Sequence, residues 1–297
     1  MPKLLFIDTN IYLDFYRIRN EVKVSFLNHL EAIKESLIIT DQVEMKFKKN
    51  RQSAILEGMK ELKPPTKINL PGVLQKDKSA TALQKDYERI DGRIKKLKTR
   101  LDNVFETPVR YDKVYQVLQR LWSKKQSIDL YRKHKKRYAV RELAEKRFML
   151  GYPPRKKNDT SIGDAINWEW LIYVATETNS DIWIVSRDSD YGVIQENKGF
   201  LNDWLKQEFQ ERVSKKRKIV LCPKLSNALR EFEIPVTQEE EEAEDKVIRV
   251  PTLSINVSDR IGVSDRITLT VHRVCRECGA QFEVQDNEEV CPNCATD

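Results

Sequence analysis

The chain has 297 residues, 33% of them charged and 40% hydrophobic, and carries a net charge of +7. That length accommodates one large domain or a domain with appendages, and the composition suits a mainly helical protein of the aqueous phase. No apolar run approaches the roughly 20 residues of a membrane span. Asp8 interrupts the first apolar stretch and removes the pattern of a secretory leader, so a cytoplasmic protein without membrane contact is expected.

Leu4-Leu-Phe-Ile7 is a short continuous apolar run, which predicts a strand buried on both faces. It stops at Asp8, and Ile11, Leu13, Phe15, Ile18, Val22 and Phe26 then follow a helical pattern. A carboxylate at the C-terminal end of a buried parallel strand lies where open α/β sheets bind ligands. The same residue also suits a helix N-cap. Burying a lone carboxylate is costly, so Asp8 calls for a counter-charge. Ser36-Leu-Ile-Ile-Thr40 predicts a second strand. Asp41 is expected to cap the next helix, with Glu44 at the capping-box position. Glu44 serves equally as a second carboxylate on the sheet edge of Asp8.

Pro64-Pro65 and Leu70-Pro71-Gly72 break the chain. From about residue 75 to 150 the pattern is helical and basic. Apolar residues recur at spacings of three and four, through Ile90, Ile94, Leu97 and Leu101 and again through Val114, Val117, Leu118, Leu121 and Trp122. Two or three long helices are expected here, inserted between the second strand and the rest of the sheet. Residues 76–157 hold 25 Lys+Arg against 10 Asp+Glu, a surplus of 15, which leaves the remainder of the chain net acidic. Such asymmetry favours a polyanionic partner contacted by the middle of the chain. The densest run comprises Arg132, Lys133, Lys135, Lys136 and Arg137, with Tyr131 and Tyr138 beside it. Basic residues interleaved with aromatics suit a nucleic-acid groove, although a solvated face has the same composition. Arg155, Lys156 and Lys157 in the following loop, and Arg187, are further expected phosphate contacts.

Ser161 is placed to cap a helix that carries Asp164 in its first turn, with Asp164, Asn167 and Trp168 on one face. Ile182-Trp-Ile-Val185 predicts a third buried strand, followed at once by Arg187, Asp188, Asp190 and Tyr191. Helices are expected over 200–209 and 226–232, and a last strand over 219–222. The acidic run from Gln238 to Asp245 is expected to be a solvated linker, and 247–274 to form β-strands. The expected organisation is therefore a domain over 1–235 with its basic insertion, a linker over 236–246, and a small module over 247–297.

The predicted strand ends bring Asp8, Glu44, Asp188 and Asp190 towards one edge, and a helix start adds Asp164. Clustered carboxylates cannot all stay ionised without cations. An all-oxygen set suits Mg²⁺ or Mn²⁺, and two such ions about 4 Å apart support phosphodiester cleavage. His29, His134 and His272 fall outside these strand ends, and no phosphate-cradling glycine loop is present, which argues against a nucleotide-driven enzyme. Near the C-terminus, Cys275-Arg-Glu-Cys278 and Cys291-Pro-Asn-Cys294 present four thiolates with the spacing of a structural Zn²⁺ site, while Cys222 stands alone. This tail looks like a zinc ribbon.

Phe6-Ile-Asp8-Thr-Asn10, Glu44 at a helix start, Gly163-Asp164-Ala165 and Val185-Ser-Arg-Asp188-Ser-Asp190-Tyr191 resemble, in order and context, the motifs of the PIN-domain nucleases. The resemblance covers roughly residues 3–60 and 155–235. It implies a Rossmann-like three-layer α/β/α sandwich with a parallel sheet, and endonucleolytic cleavage with Mg²⁺ or Mn²⁺, most often of RNA. By motif the metal ligands would be Asp8, Glu44, Asp164 and Asp188. Asp190 would be an auxiliary acid, and Asn10 would orient Asp8. The long basic segment departs from compact members and is similar to larger PIN-like proteins of prokaryotic type. RNA is the expected substrate. The alternatives are a structure-specific or single-stranded DNA nuclease, and a non-catalytic scaffold. A regulatory protein partner, as in toxin or defence systems, and a homo-oligomer are both compatible with the sequence.

Overall fold

The computed structural model describes residues 2–18, 22–59, 62–64, 66, 69–155, 161–249, 272–274 and 281–283. The chain forms two compact units, Met1–Pro251 and Thr252–Asp297. In chain order the first contains β1 (Lys3–Ile7), α1 (Thr9–Asp14), α2 (Val22–Ala32), β2 (Leu37–Ile38), α3 (Asp41–Met59), α4 (Lys78–Glu106), α5 (Pro108–Tyr111), α6 (Lys113–Ser123), α7 (Arg137–Met149) and α8 (Gly163–Thr178). It continues through β3 (Asp181–Val185), β4 (Gly192–Gln195), β5 (Lys198–Leu201), α9 (Asp203–Arg212), β6 (Ile219–Cys222), α10 (Leu225–Glu231) and α11 (Gln238–Arg249). In the second unit the described residues form an antiparallel hairpin of β7 (His272–Val274) and β8 (Gln281–Glu283).

The main sheet is parallel, in the order β2-β1-β3-β6. The inner strands β1 and β3 are buried along nearly their whole length, as expected for strands covered by helices on both faces. The chain leaves β1 towards β2 on one side and returns to β3 on the other. The space beyond the C-terminal ends of β1 and β3 is therefore the topological switch point, where such sheets place ligands.

Several expectations need correction. The first predicted helix is two helices, α1 and α2, because the α-helix stops at Asp14 and turn structure follows it. Thr40, not Asp41, caps α3: Thr40 Oγ1 accepts from Val43 N at 3.2 Å. The Asp41 carboxylate instead binds Arg137 Nε at 2.7 Å. The helix expected over 200–209 begins only at Asp203, and Phe200 belongs to the hairpin β4–β5. The acidic segment is no solvated linker. It forms α11, with Glu240, Ala243 and Glu244 buried. Glu244 accepts from the N–H groups of Leu225 and Ser226 at 2.6 and 3.1 Å, which satisfies orphan donors at the start of α10. Of the β-strands expected over 247–274, residues 247–249 belong to α11, 272–274 form β7, and 250–271 lie outside the described residues.

The basic insertion divides in two. On α4 only Ile94 is buried, and Leu83, Ile90 and Leu97 remain exposed. α6, by contrast, belongs to the core. Trp122 packs edge-on against Tyr12 and Phe47 at 5.7 and 5.0 Å between ring centroids, a geometry that adds to the large area each ring buries. Leu130 pairs with Thr40 in a parallel bridge at the outer side of the sheet. α7 packs along α8.

Candidate active site

β1 delivers Asp8 and β3 delivers Ser186 to the same edge, because the two strands are paired in register through Ile7 and Val185. Asp8 N donates to Val185 O at 2.9 Å. The Asp8 carboxylate is buried and accepts three hydrogen bonds: from Thr9 N at 2.6 Å, Ser186 Oγ at 2.7 Å and Asn10 Nδ2 at 3.2 Å. The cap and the carboxylate at a strand end are thus the same geometry. Ser186 Oγ also accepts from Asp188 N at 3.1 Å, so one hydroxyl fixes both acidic loops.

Burial first, and then the neighbouring charges of Asp188 and Asp164, raise the Asp8 carboxyl to about 7, against the opposing effects of the Ser186 hydrogen bond and Lys46. The expected counter-charge is present in Lys46, but it does not outweigh burial and the two acids. Asp164, in the first turn of α8, is buried and binds Lys46 Nζ at 2.6 Å. Gly163 makes room for that lysine, since a Cβ there would lie 2.9 Å from Lys46 Cε. Tyr191 is fully buried, and its hydroxyl is held protonated by burial and by the surrounding Asp164, Asp8 and Asp188. Asn167, one turn after Asp164, accepts from Thr40 Oγ1 at 2.6 Å and so links α8 to the end of β2.

Asp8, Asp164 and Asp188 therefore share one electrostatic neighbourhood. Glu44 is turned to Lys48 and Lys125, at 2.7 and 3.6 Å. Asp190 lies half-buried in the turn between Asp188 and Tyr191. Arg187 is ion-paired with Asp14 and Arg137 with Asp41. Lys136 stands over the Tyr173 ring at 5.7 Å. Arg132, Lys133 and Lys135 are exposed, and Arg155 covers the Phe148 ring at 4.5 Å. Lys156, Lys157 and the four cysteines of the expected zinc site lie outside the described residues.

Ser186 and Lys46 escaped the sequence reading. Ser186 had a legible signal, being the residue between the third strand and Asp188. Lys46 had none, as one cation among 53.

Among the described residues no three Asp, Glu, His or Cys side chains close on a single point. Two of the four expected ligands are instead drawn to lysines. The donor set nevertheless fits a hard divalent ion. It consists of oxygens, it holds a buried carboxyl that burial and two like charges make harder to ionise, and the buried Asn10 Oδ1 beside it has no hydrogen-bond partner among the described residues. Among the described residues no helix is long and apolar enough to cross a membrane. No curated protein and no solved structure matches the chain significantly. A family model described as a PIN domain matches residues 5–191.

Proposed function

This chain belongs to the PIN-domain family, whose members are generally metal-dependent nucleases, and from that premise we propose that it is an endonuclease that cleaves RNA with Mg²⁺ or Mn²⁺. The observation that carries the proposal is the shared edge of Asp8, Asp164 and Asp188, where burial first, and then the charges of the other two acids, raise the Asp8 carboxyl. These three residues would hold the metal, and Glu44 would join them on leaving its lysines. A bound divalent ion supplies an activated water and neutralises charge on the leaving oxygen. The protein's own residues position and shield. Ser186 holds Asp8 and Asp188 in a fixed relation. Asn10 orients the Asp8 carboxylate. The fully buried Tyr191 keeps bulk water from the inner side of the acids. With Arg137 and Arg187 engaged internally, the exposed Arg132, Lys133 and Lys135 are left to meet the phosphate backbone.

The test is cleavage of labelled single-stranded RNA with Mn²⁺ by wild type and Asp8→Asn, with single-stranded and flap DNA run in parallel. Cleavage of RNA that is lost in the variant and in chelator supports the reading. Cleavage confined to DNA transfers the activity to the alternative substrate. RNA retained but never cut by either protein overturns the nuclease and leaves a scaffold.

For the second unit we propose one structural Zn²⁺ held by Cys275, Cys278, Cys291 and Cys294. The hairpin β7–β8 supports this, because the first Cys-x-x-Cys lies in the segment that joins its strands. Metal analysis is expected to find about one zinc per chain, lost on Cys275→Ser.

A further inference from the structure

We propose that Tyr152 and Trp204 form a stacking platform for unpaired bases of the RNA strand that reaches the carboxylate edge, an assignment that rests on the RNA reading above. Four of the five tryptophans, Trp122, Trp168, Trp170 and Trp183, are buried, whereas Trp204 is 46% exposed. Tyr152, 39% exposed, lies beside it with ring centroids 5.0 Å apart and planes at 39°. Neither ring is needed to close the core, and both offer aromatic surface to solvent. Every base has a π-face, so paired exposed rings accept single strands without regard to sequence.

The platform is held rigidly. Tyr152 lies in the loop after α7, and Trp204 in the first turn of α9. Arg147, itself buried, ties the two together. Its carbonyl accepts from Tyr152 N at 3.1 Å and its guanidinium binds Pro153 O on the loop side. On the other side the guanidinium pairs with Glu208, one turn beyond Trp204, and with Glu169 on α8 at 2.8 Å. Trp168 Nε1 donates to the second Glu208 oxygen at 3.0 Å, and Arg212 binds Glu169 and Glu208 at 2.7 Å each. A buried ionic network thus fixes two exposed rings, so they lose little freedom when a base stacks on them.

The platform also connects to the acids. Asn202 N donates to Tyr191 O at 2.9 Å, and Asn202 Oδ1 accepts from Trp204 N at 3.0 Å. One residue therefore joins the tyrosine beneath the carboxylates to the tryptophan of the platform. Charge favours a polyanion: Arg155 stands three residues after Tyr152 and begins the sequence Arg155-Lys156-Lys157.

The experiment measures affinity of the full chain, in chelator to stop cleavage, for a short oligoadenylate and for an abasic ribose-phosphate chain of equal length. Trp204→Ala and Tyr152→Ala are each expected to weaken oligoadenylate roughly fivefold or more and to leave abasic affinity unchanged, whereas Trp204→Phe is expected to keep most of the wild-type affinity. Oligoadenylate is also expected to quench the exposed tryptophan emission of wild type and not that of Trp204→Phe. Equal losses on both chains, or no loss on either, overturn the platform. So does an unchanged RNA affinity combined with altered sedimentation of the free protein, which would make the rings a surface for a second copy. A wild type that cuts RNA while Trp204→Ala loses no affinity overturns the platform alone. A chain that binds through the rings and never cuts overturns the nuclease alone.

Discussion

Asp8 carries a stability cost that its proposed role explains. Its carboxyl lies near 7 in the folded chain against an ordinary 3.8. The folded state therefore binds the proton more tightly than the unfolded one. The resulting stability is complete below about pH 4 and is lost as the pH rises to about 7 and beyond. In chelator, urea midpoints at pH 5 and pH 8 should differ by an equivalent of roughly 2–4 kcal/mol from this group. Asp8→Asn should remove that difference, stabilise the protein at pH 8 and abolish cleavage, a gain in stability at the expense of activity. An unchanged pH slope in the variant would remove Asp8 from the account. Lys46 works in the opposite sense. Its ammonium, 2.6 Å from Asp164, neutralises the cluster and repels an incoming cation. Lys46→Met should tighten Mn²⁺ binding roughly fivefold to tenfold by titration calorimetry, and weaker binding would mean that the lysine organises the acids.

At the level of elements, the helix period of α6 was legible but its destination was not. Val114, Val117, Leu118, Leu121 and Trp122 announce a buried face without saying what covers it, and only the fold reveals Tyr12 and Phe47 on the other side. What anchors this segment is a buried ion pair. Asp112 caps α6 by accepting from Tyr115 N at 3.0 Å, and it binds Arg51 Nε and the Tyr16 hydroxyl at 2.7 Å each. Asp112→Ala would leave the Arg51 charge buried and unpaired, at a cost of roughly 3–5 kcal/mol in chemical denaturation. The double variant Arg51→Met/Asp112→Leu should recover much of that loss, and a strictly additive result would count against the pair. The acidic helix α11 carries a helix signal in its sequence, although its charge predicts a linker. Thr237 and Glu240 form a capping box, with Glu240 Oε2 accepting from Thr237 N at 2.7 Å. The run of glutamates hid that only Glu240 and Glu244, one turn apart, face inwards. The hairpin β4–β5 turns on Glu196 and Asn197, at φ 47° and 63°, a two-residue turn of the left-handed kind, and it places Phe200 in a strand where the sequence predicts a helix.

Across the whole molecule, the junctions where a strand ends at an acid were readable because they are local. Asp8 follows directly on β1 and Asp188 comes three residues after the end of β3, and the parallel pairing of Ile7 with Val185 brings the two strand ends together. Partner choice between distant cations and acids, such as Lys46 with Asp164 or Arg187 with Asp14, depends on packing and has no local sign. A further property follows from where the sheet stops. Beyond β2 the chain lays down Leu130, and against β6 it lays the hairpin β4–β5, so closely that a Cβ at Gly199 would fall 2.3 Å from Leu221 O. Unpaired strand borders are templates for association between molecules, and here both borders are covered by the chain itself. Gly199→Val should lift the hairpin and uncover β6. The expected result is concentration-dependent light scattering on refolding, while a variant that refolds as cleanly as wild type would show that the hairpin is not the guard. The glycine thus protects the chain against its own copies during the interval before folding is complete.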